Sequence, residues 1–156
     1  EARAQSAAAQ KRYVRDLAAR RNVRLAKKVA RHGGRKITAR YVKWTSQRPL
    51  RKLQKHNHRL RVQLTSLRRE QRWWRGAFGR VPRSTLQSIA FCESRNDPRA
   101  IGGGGLYRGL FQMTFDIWGA VGGKGDPAAA TPAEQYYRAA LVYTRYGSGQ
   151  WPVCGS

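Results

Sequence analysis

Acidic residues are scarce in this chain: eight Asp and Glu stand against 32 Lys and Arg in 156 residues, for a formal net charge of +24. Self-repulsion of that size calls for an anionic partner or for a strong reason to stay dispersed in solution. Cysteine is nearly absent as well, with only Cys92 and Cys154. The three histidines, His32, His56 and His58, all lie in the first part of the chain. Residues 86–156 therefore offer no histidine to a zinc site or a Cys-His nucleophile, and neither a metal nor a cofactor is expected. His56 and His58 are two apart on a helix, point to different faces and are expected to be solvated. No apolar run approaches the ~18 residues of a membrane span, and no charged-then-apolar signal segment is present. The chain begins at Glu1 without methionine, so a processed or trimmed product is expected, with any export signal upstream.

What is present is unevenly placed. Residues 1–85 hold 26 Lys or Arg against three acids, whereas residues 86–156 hold six against five. The second part also holds both cysteines, Met113, three of the four Phe and most of the Gly. Two parts this different point to a compact domain preceded by a basic extension. A domain of about 70 residues is marginally stable alone, and small secreted domains often add a cross-link. Two cysteines do not establish one, because a pair of unrelated buried thiols has the same sequence.

Helical patterning dominates. Ala2 to Arg31 has good helix formers, no Gly or Pro, and apolar residues at mostly helical offsets. His32-Gly33-Gly34 stops that helix, and Ile37, Tyr41 and Trp44 follow at i, i+4 and i+7. After Arg48-Pro49, the residues Leu50, Leu53, Asn57, Leu60, Leu64, Leu67, Gln71 and Trp74 alternate steps of three and four, as in a heptad seam. This seam admits two readings. One is a short coiled coil forming a homodimer through residues 50–74, with Asn57 fixing register; the other is a helix packed on its own chain. Arg80-Val81-Pro82-Arg83 reads as a linker. Beyond it, Ser84 suits the cap of a helix to about Arg95, Gly102 to Gly105 reads as loop, and a short helix is expected from Thr114 to Ala120. A capping box at Thr131, Pro132 and Glu134 opens a helix to Tyr146. No strand pattern of convincing length appears. The expected organisation is mainly α, with a basic helical region at 1–49, a heptad helix and linker at 50–80, and a compact domain at 84–156.

Chemistry centres on Glu93, on the last turn of an apolar helix and just before a glycine-rich stretch. Partial burial there raises a carboxyl pKa, as a proton donor to a glycosidic oxygen requires. A lone glutamate is weak evidence, and its neighbours decide. Glu93-Ser94, Asn96, Pro98 and Ala100, followed by Gly109-Leu110-Phe111-Gln112-Met113, resemble the lytic transglycosylase signature. Phe91-Cys92-Glu93-Ser94, Trp118, Gly122-Gly123, Pro127, Glu134-Gln135 and Trp151-Pro152-Val153-Cys154-Gly155 resemble the resuscitation-promoting factor domain of actinobacteria. The resemblance covers residues 86–156 and says nothing of the rest.

It implies a small lysozyme-like domain that cleaves the β-1,4 bond between N-acetylmuramic acid and N-acetylglucosamine in peptidoglycan, acting in the cell wall after secretion. Glu93 matches the catalytic glutamate, Gln112 a glutamine that hydrogen-bonds the glycan, and Cys92 and Cys154 a disulfide. Tyr107, Trp118 and Trp151 are candidate sugar-stacking rings, with burial in the core the competing reading of each. Two departures stand out. A cleft threonine of that family falls on Gly103, and the loop after Glu93 is one residue longer, adding Arg95 and Arg99.

Glycosidases usually pair two carboxylates. Asp97, Asp116 and Asp126 read more easily as caps or solvated charges. One glutamate would then act twice, protonating the leaving oxygen and drawing a proton from the sugar's 6-hydroxyl to give a 1,6-anhydro product. A suitably placed Asp would permit hydrolysis instead. For residues 1–85 the expected partners are anionic envelope polymers or, through charge with Tyr13, Tyr41 and Trp44 interleaved, nucleic acid. A non-catalytic glycan-binding module and a nucleic-acid-binding protein with a degenerate lysozyme-like tail are the competing functions.

Overall fold

The computed structural model describes residues 2–155, with side chains from residue 6 onward. Six helices carry it: α1 (Ala2–His32), α2 (Ala39–Ser46), α3 (Leu50–Phe78), α4 (Arg83–Ser94), α5 (Phe115–Ala120) and α6 (Pro132–Tyr146). A two-stranded hairpin, β1 (Ile101–Gly102) and β2 (Tyr107–Arg108), pairs Ile101 with Arg108 and Gly102 with Tyr107. The stretch expected as loop is the tip of this hairpin. Two compact units divide inside α3, after Arg68.

The first unit, residues 1–68, is a basic helical assembly with a polar centre. Asn22 is fully buried, and its side-chain nitrogen donates to Asn57 Oδ1 at 2.9 Å. Tyr41 Oη donates to Asn22 Oδ1 at 2.6 Å, and Asn57 Nδ2 donates to the Ala18 carbonyl at 3.0 Å. One closed set of hydrogen bonds therefore joins α1, α2 and α3. The seam residues Leu53, Asn57, Leu60 and Leu64 are all buried within the unit. The heptad pattern is thus satisfied in cis, and Asn57 matches a partner on α1 rather than its copy across a homodimer.

His56 also departs from expectation. It is half-buried, with its ring 5.5 Å from Trp44 and 6.3 Å from Tyr41. Burial, with the neighbouring Arg59 charge adding to it, lowers its pKa. The sequence offset separated it correctly from exposed His58, but burial is a tertiary property that the spacing does not carry.

The second unit, residues 69–156, has an apolar core built around Leu86, Ile89, Ala90, Phe111, Trp118, Ala139 and Val142. Within the expected linker at 80–83, Val81 belongs to this core while Arg80, Pro82 and Arg83 are exposed. Ala77 and Val81 are buried, and Trp74 and Phe78 pack at 5.1 and 5.9 Å against Tyr136, the first tilted and the second edge-on. The last turns of α3 bury apolar rings there, which moves the boundary upstream of the expected residue 84. Cys92 and Cys154 form a disulfide with Cα atoms 5.6 Å apart, tying the C-terminal turn to α4.

Helix ends follow local chemistry. Thr114 Oγ1 caps α5 by accepting from Ile117 N, and Thr131 Oγ1 caps α6 by accepting from Glu134 N. The Glu134 carboxylate closes no reciprocal box but pairs with Arg138 one turn on. Ser84 is not a cap: α4 starts at Arg83, after Pro82, without a side-chain cap. It ends where Arg95 and Asn96 turn left-handed, at φ 55° and 65°.

Candidate active site

Glu93 owes its setting to the wheel of α4. Leu86, Ile89 and Ala90 precede it by seven, four and three residues and are fully buried, so Glu93 emerges on the core-facing side of the final turn. There the core ends and the side chain is half-buried. Desolvation raises its pKa above the usual glutamate range. Among the described residues its carboxylate has no hydrogen bond or ion pair.

The other acids of residues 86–156 are otherwise engaged or placed. Asp126 accepts two bonds from Arg108 and one from Ala128 N, and that pairing holds its carboxyl below the usual range. Asp97 accepts from Arg99 N at 2.9 Å, Glu134 pairs with Arg138, and Asp116 is exposed on the first turn of α5.

The end of α4 is fastened to the next part of the site. Ser94 Oγ lies 3.0 Å from the Ala90 carbonyl and 2.9 Å from the Leu110 carbonyl, which attaches the turn carrying Gln112 to the helix carrying Glu93. Gln135 completes the fastening from α6. It is buried, accepts from Leu110 N at 2.7 Å, and donates to Pro98 O at 3.0 Å and Ala130 O at 2.9 Å. All its strong hydrogen-bonding capacity is turned inward. Gly109 makes room for it: the backbone there has φ 75°, and a Cβ would stand 2.4 Å from Gln135 Oε1. Ser94 and Gln135 belong to the motif but have no role that spacing alone reveals. A polar residue at a core-facing position of α6 is the only signal, and it does not name its partners.

Gln112 lies on this turn with φ 44°. Its amide nitrogen donates to Gly109 O at 2.9 Å and more weakly to Ala100 O at 3.4 Å, while its oxygen lies against Gly102. Tyr107 is exposed on the hairpin, its ring lying over Gly103. A Cβ at Gly103 would meet that ring at 2.7 Å on a backbone with φ 54°. The Gly in place of threonine thus lets the tyrosine lie flat across the hairpin.

Two expected sugar-stacking rings are core residues instead. Trp118 is 1% exposed and packs against Gly123. Trp151 is 4% exposed and donates through Nε1 to Phe111 O at 2.8 Å. A ring enclosed on all sides cannot stack on a sugar, so the aromatic surface of the expected set is reduced to Tyr107. In the first unit Tyr41 is committed to Asn22, leaving Tyr13 and Trp44 as partly exposed rings.

A mainly-α unit with a half-buried glutamate at a helix end, fastened through Ser94 to the turn that follows a glycine-rich hairpin, is consistent with a lysozyme-like class. Residues 81–154 accordingly match the family model for the transglycosylase-like domain. The same region is similar to resuscitation-promoting factors. It is 44% identical over 69 residues to resuscitation-promoting factor RpfD of Mycobacterium tuberculosis strain H37Rv, covering 44% of each chain. It is 41% identical over 70 residues to resuscitation-promoting factor Rpf of Micrococcus luteus, covering 45% of this chain and 31% of that protein. To resuscitation-promoting factor RpfC of M. tuberculosis strain Erdman it is 39% identical over 75 residues, covering 48% and 53%. The match thus spans between a third and about half of each relative's length, and residues 1–80 lie outside the family match.

Proposed function

We propose that this protein is a muralytic enzyme of the bacterial cell wall, cleaving the β-1,4 bond between N-acetylmuramic acid and N-acetylglucosamine with Glu93 as proton donor. The observation that carries this reading is the half-buried Glu93 carboxyl, with its pKa raised by desolvation and no competing partner among the described residues. A carboxyl that holds its proton more tightly than an exposed glutamate is suited to protonate the leaving glycosidic oxygen. The likeness of residues 81–154 to transglycosylase-like domains supports the same chemistry.

The capped or ion-paired state of Asp97 and Asp126 supports a one-carboxylate route. In that route Glu93 gives its proton to the leaving oxygen, then accepts one from the 6-hydroxyl as that oxygen bonds to the anomeric carbon, releasing a 1,6-anhydro sugar. Tyr107 and the oxygen of Gln112 are the substrate contacts in this scheme, and the Cys92–Cys154 disulfide holds the C-terminal turn to α4. The action is placed outside the cytoplasm, where the disulfide persists. Residues 1–68, with 21 Lys and Arg against two acids, act as an arm holding the enzyme to anionic envelope polymer.

Digestion of purified peptidoglycan read by mass spectrometry tests the scheme. Soluble anhydro-muropeptides are expected from the native chain and none from Glu93→Gln. Products heavier by one water would replace the anhydro route with hydrolysis, and wall binding without any soluble product would replace the enzyme with a glycan-binding module.

A further inference from the structure

Helix α4 carries a second surface, turned away from Glu93. At 100° per residue, Gln87, Ser88 and Phe91 lie roughly 120–220° around the helix from Glu93. With Pro98, Pro132 and Tyr136 they line a groove of about 600 Å³ in which Glu93 takes no part. Phe91 is 51% exposed there, a large ring with no core function on this helix. The hydrogen bonds of the site meet this groove at its floor, through the backbone of Leu110 and the Pro98 carbonyl.

The ends of the groove are cationic. Arg95 lies over the Phe91 ring at 4.9 Å, and Arg83 lies over Phe78 at 4.5 Å, beside Tyr136. Burial pushes the Tyr136 hydroxyl upward in pKa, and the Arg83 charge pulls it part of the way back, which places that guanidinium within electrostatic reach of the groove wall. The acids of the neighbourhood are already occupied: Asp97 caps Arg99 N and Glu134 pairs with Arg138.

We infer that this groove binds a short extended peptide bearing carboxylates at both ends, its backbone against Gln87 and Ser88 and its middle over Phe91. Arg83 and Arg95 are twelve residues apart, about 18 Å along the helix axis. Allowing for the inward reach of both side chains, four or five extended residues span the gap. A neutral N-acetylated glycan would leave both arginines unmatched, whereas a peptide with two carboxylates meets each with a charge-assisted hydrogen bond. Resting on the muralytic reading, the occupant is a stem peptide of the wall, so that one face of α4 grips peptide while the other addresses the glycan.

The test uses the full chain and a synthetic four-residue peptide with glutamate at each end, beside its neutral glutamine counterpart, followed by amide NMR shifts. Saturable shifts at Gln87, Ser88 and Phe91 are expected for the acidic peptide and not the neutral one. Arg83→Gln with Arg95→Gln should weaken binding about five-fold, whereas Arg20→Gln with Arg24→Gln in the first unit should not. Shifts confined to the first unit, or binding indifferent to Arg83 and Arg95, would overturn the proposal and reduce the effect to general charge attraction. No turnover is read, so the outcome is independent of Glu93. Binding of the acidic peptide alongside failure to cleave wall would keep the groove and remove the stem-peptide assignment.

Discussion

The two units of this chain solve the problem of stability by opposite means. Residues 1–68 bury Asn22, Thr45 and Asn57 among leucines and alanines, and their helices are joined by a hydrogen-bonded polar centre under a surface of 21 cations. Residues 69–156 bury aromatic rings, close a covalent loop, and admit a single fully buried polar side chain, Gln135, among the described residues. The difference matches what each must do. A highly charged surface repels itself, and a few directional bonds fix helix register where apolar area is small. A site that is to hold a carboxyl at one place needs a rigid frame, and the second unit has a disulfide at the residue before Glu93 and a buried glutamine fastening the turn at Leu110.

The disulfide is the largest single difference between the two units. Closing a loop with a sequence separation of 62 contributes about 4 kcal/mol by chain entropy, so Cys92→Ser with Cys154→Ser should lower the stability of the second unit by about that amount. Urea unfolding followed by the fluorescence of buried Trp118 and Trp151 checks it. An unchanged midpoint would mean that the aromatic core suffices alone.

Gln135→Ala comes next, at about 3 kcal/mol, because it strands Leu110 N and the Pro98 and Ala130 carbonyls together. It should also lower activity with the fold retained, since the turn bearing Gln112 loses its anchor. Thermal melting beside wall digestion separates the two effects. In the first unit, Asn57→Ala leaves the buried Asn22 Nδ2 without its acceptor and removes the second bond to the Ala18 carbonyl, and should cost about 2 kcal/mol. Far-ultraviolet circular dichroism, dominated by the long helices, reads that loss. No change there would show that the polar centre specifies arrangement without stabilising it.

The smallest effect has a definite sign. Folding raises the Glu93 pKa, so between the unfolded and folded values the native state binds more protons than the unfolded one, and stability falls as pH rises through that window. Glu93→Gln removes this penalty. Its melting temperature should equal or slightly exceed the native value at pH 7, the advantage disappearing at pH values below the unfolded glutamate range. A variant less stable at pH 7 would mean that the carboxylate has a stabilising partner.

Much of this was legible from sequence because the signals are local. Thr131 and Pro132 opened α6 as their spacing requires, without the reciprocal bond expected of Glu134, Gly147 closed it, and the apolar wheel of α4 placed Glu93 on the inner side of its last turn. What escaped depends on contacts distant in the chain. Trp118 and Trp151 have the composition of sugar platforms, and only tertiary enclosure makes them core. The heptad from Leu50 has the same spacing whether its partner is a second copy or α1, thirty-five residues upstream at Asn22. Gln135 reads as an ordinary polar residue until the turn at Leu110 is folded against it.

The central claim is that one carboxyl group, at position 93, supplies the proton that breaks the glycan. Clearing of a peptidoglycan gel by native chain and by Glu93→Gln, with wall binding of both checked by sedimentation, measures it directly. Equal binding is expected, with clearing reduced at least about 100-fold in the variant; equal clearing by the two would exclude Glu93 as the proton donor.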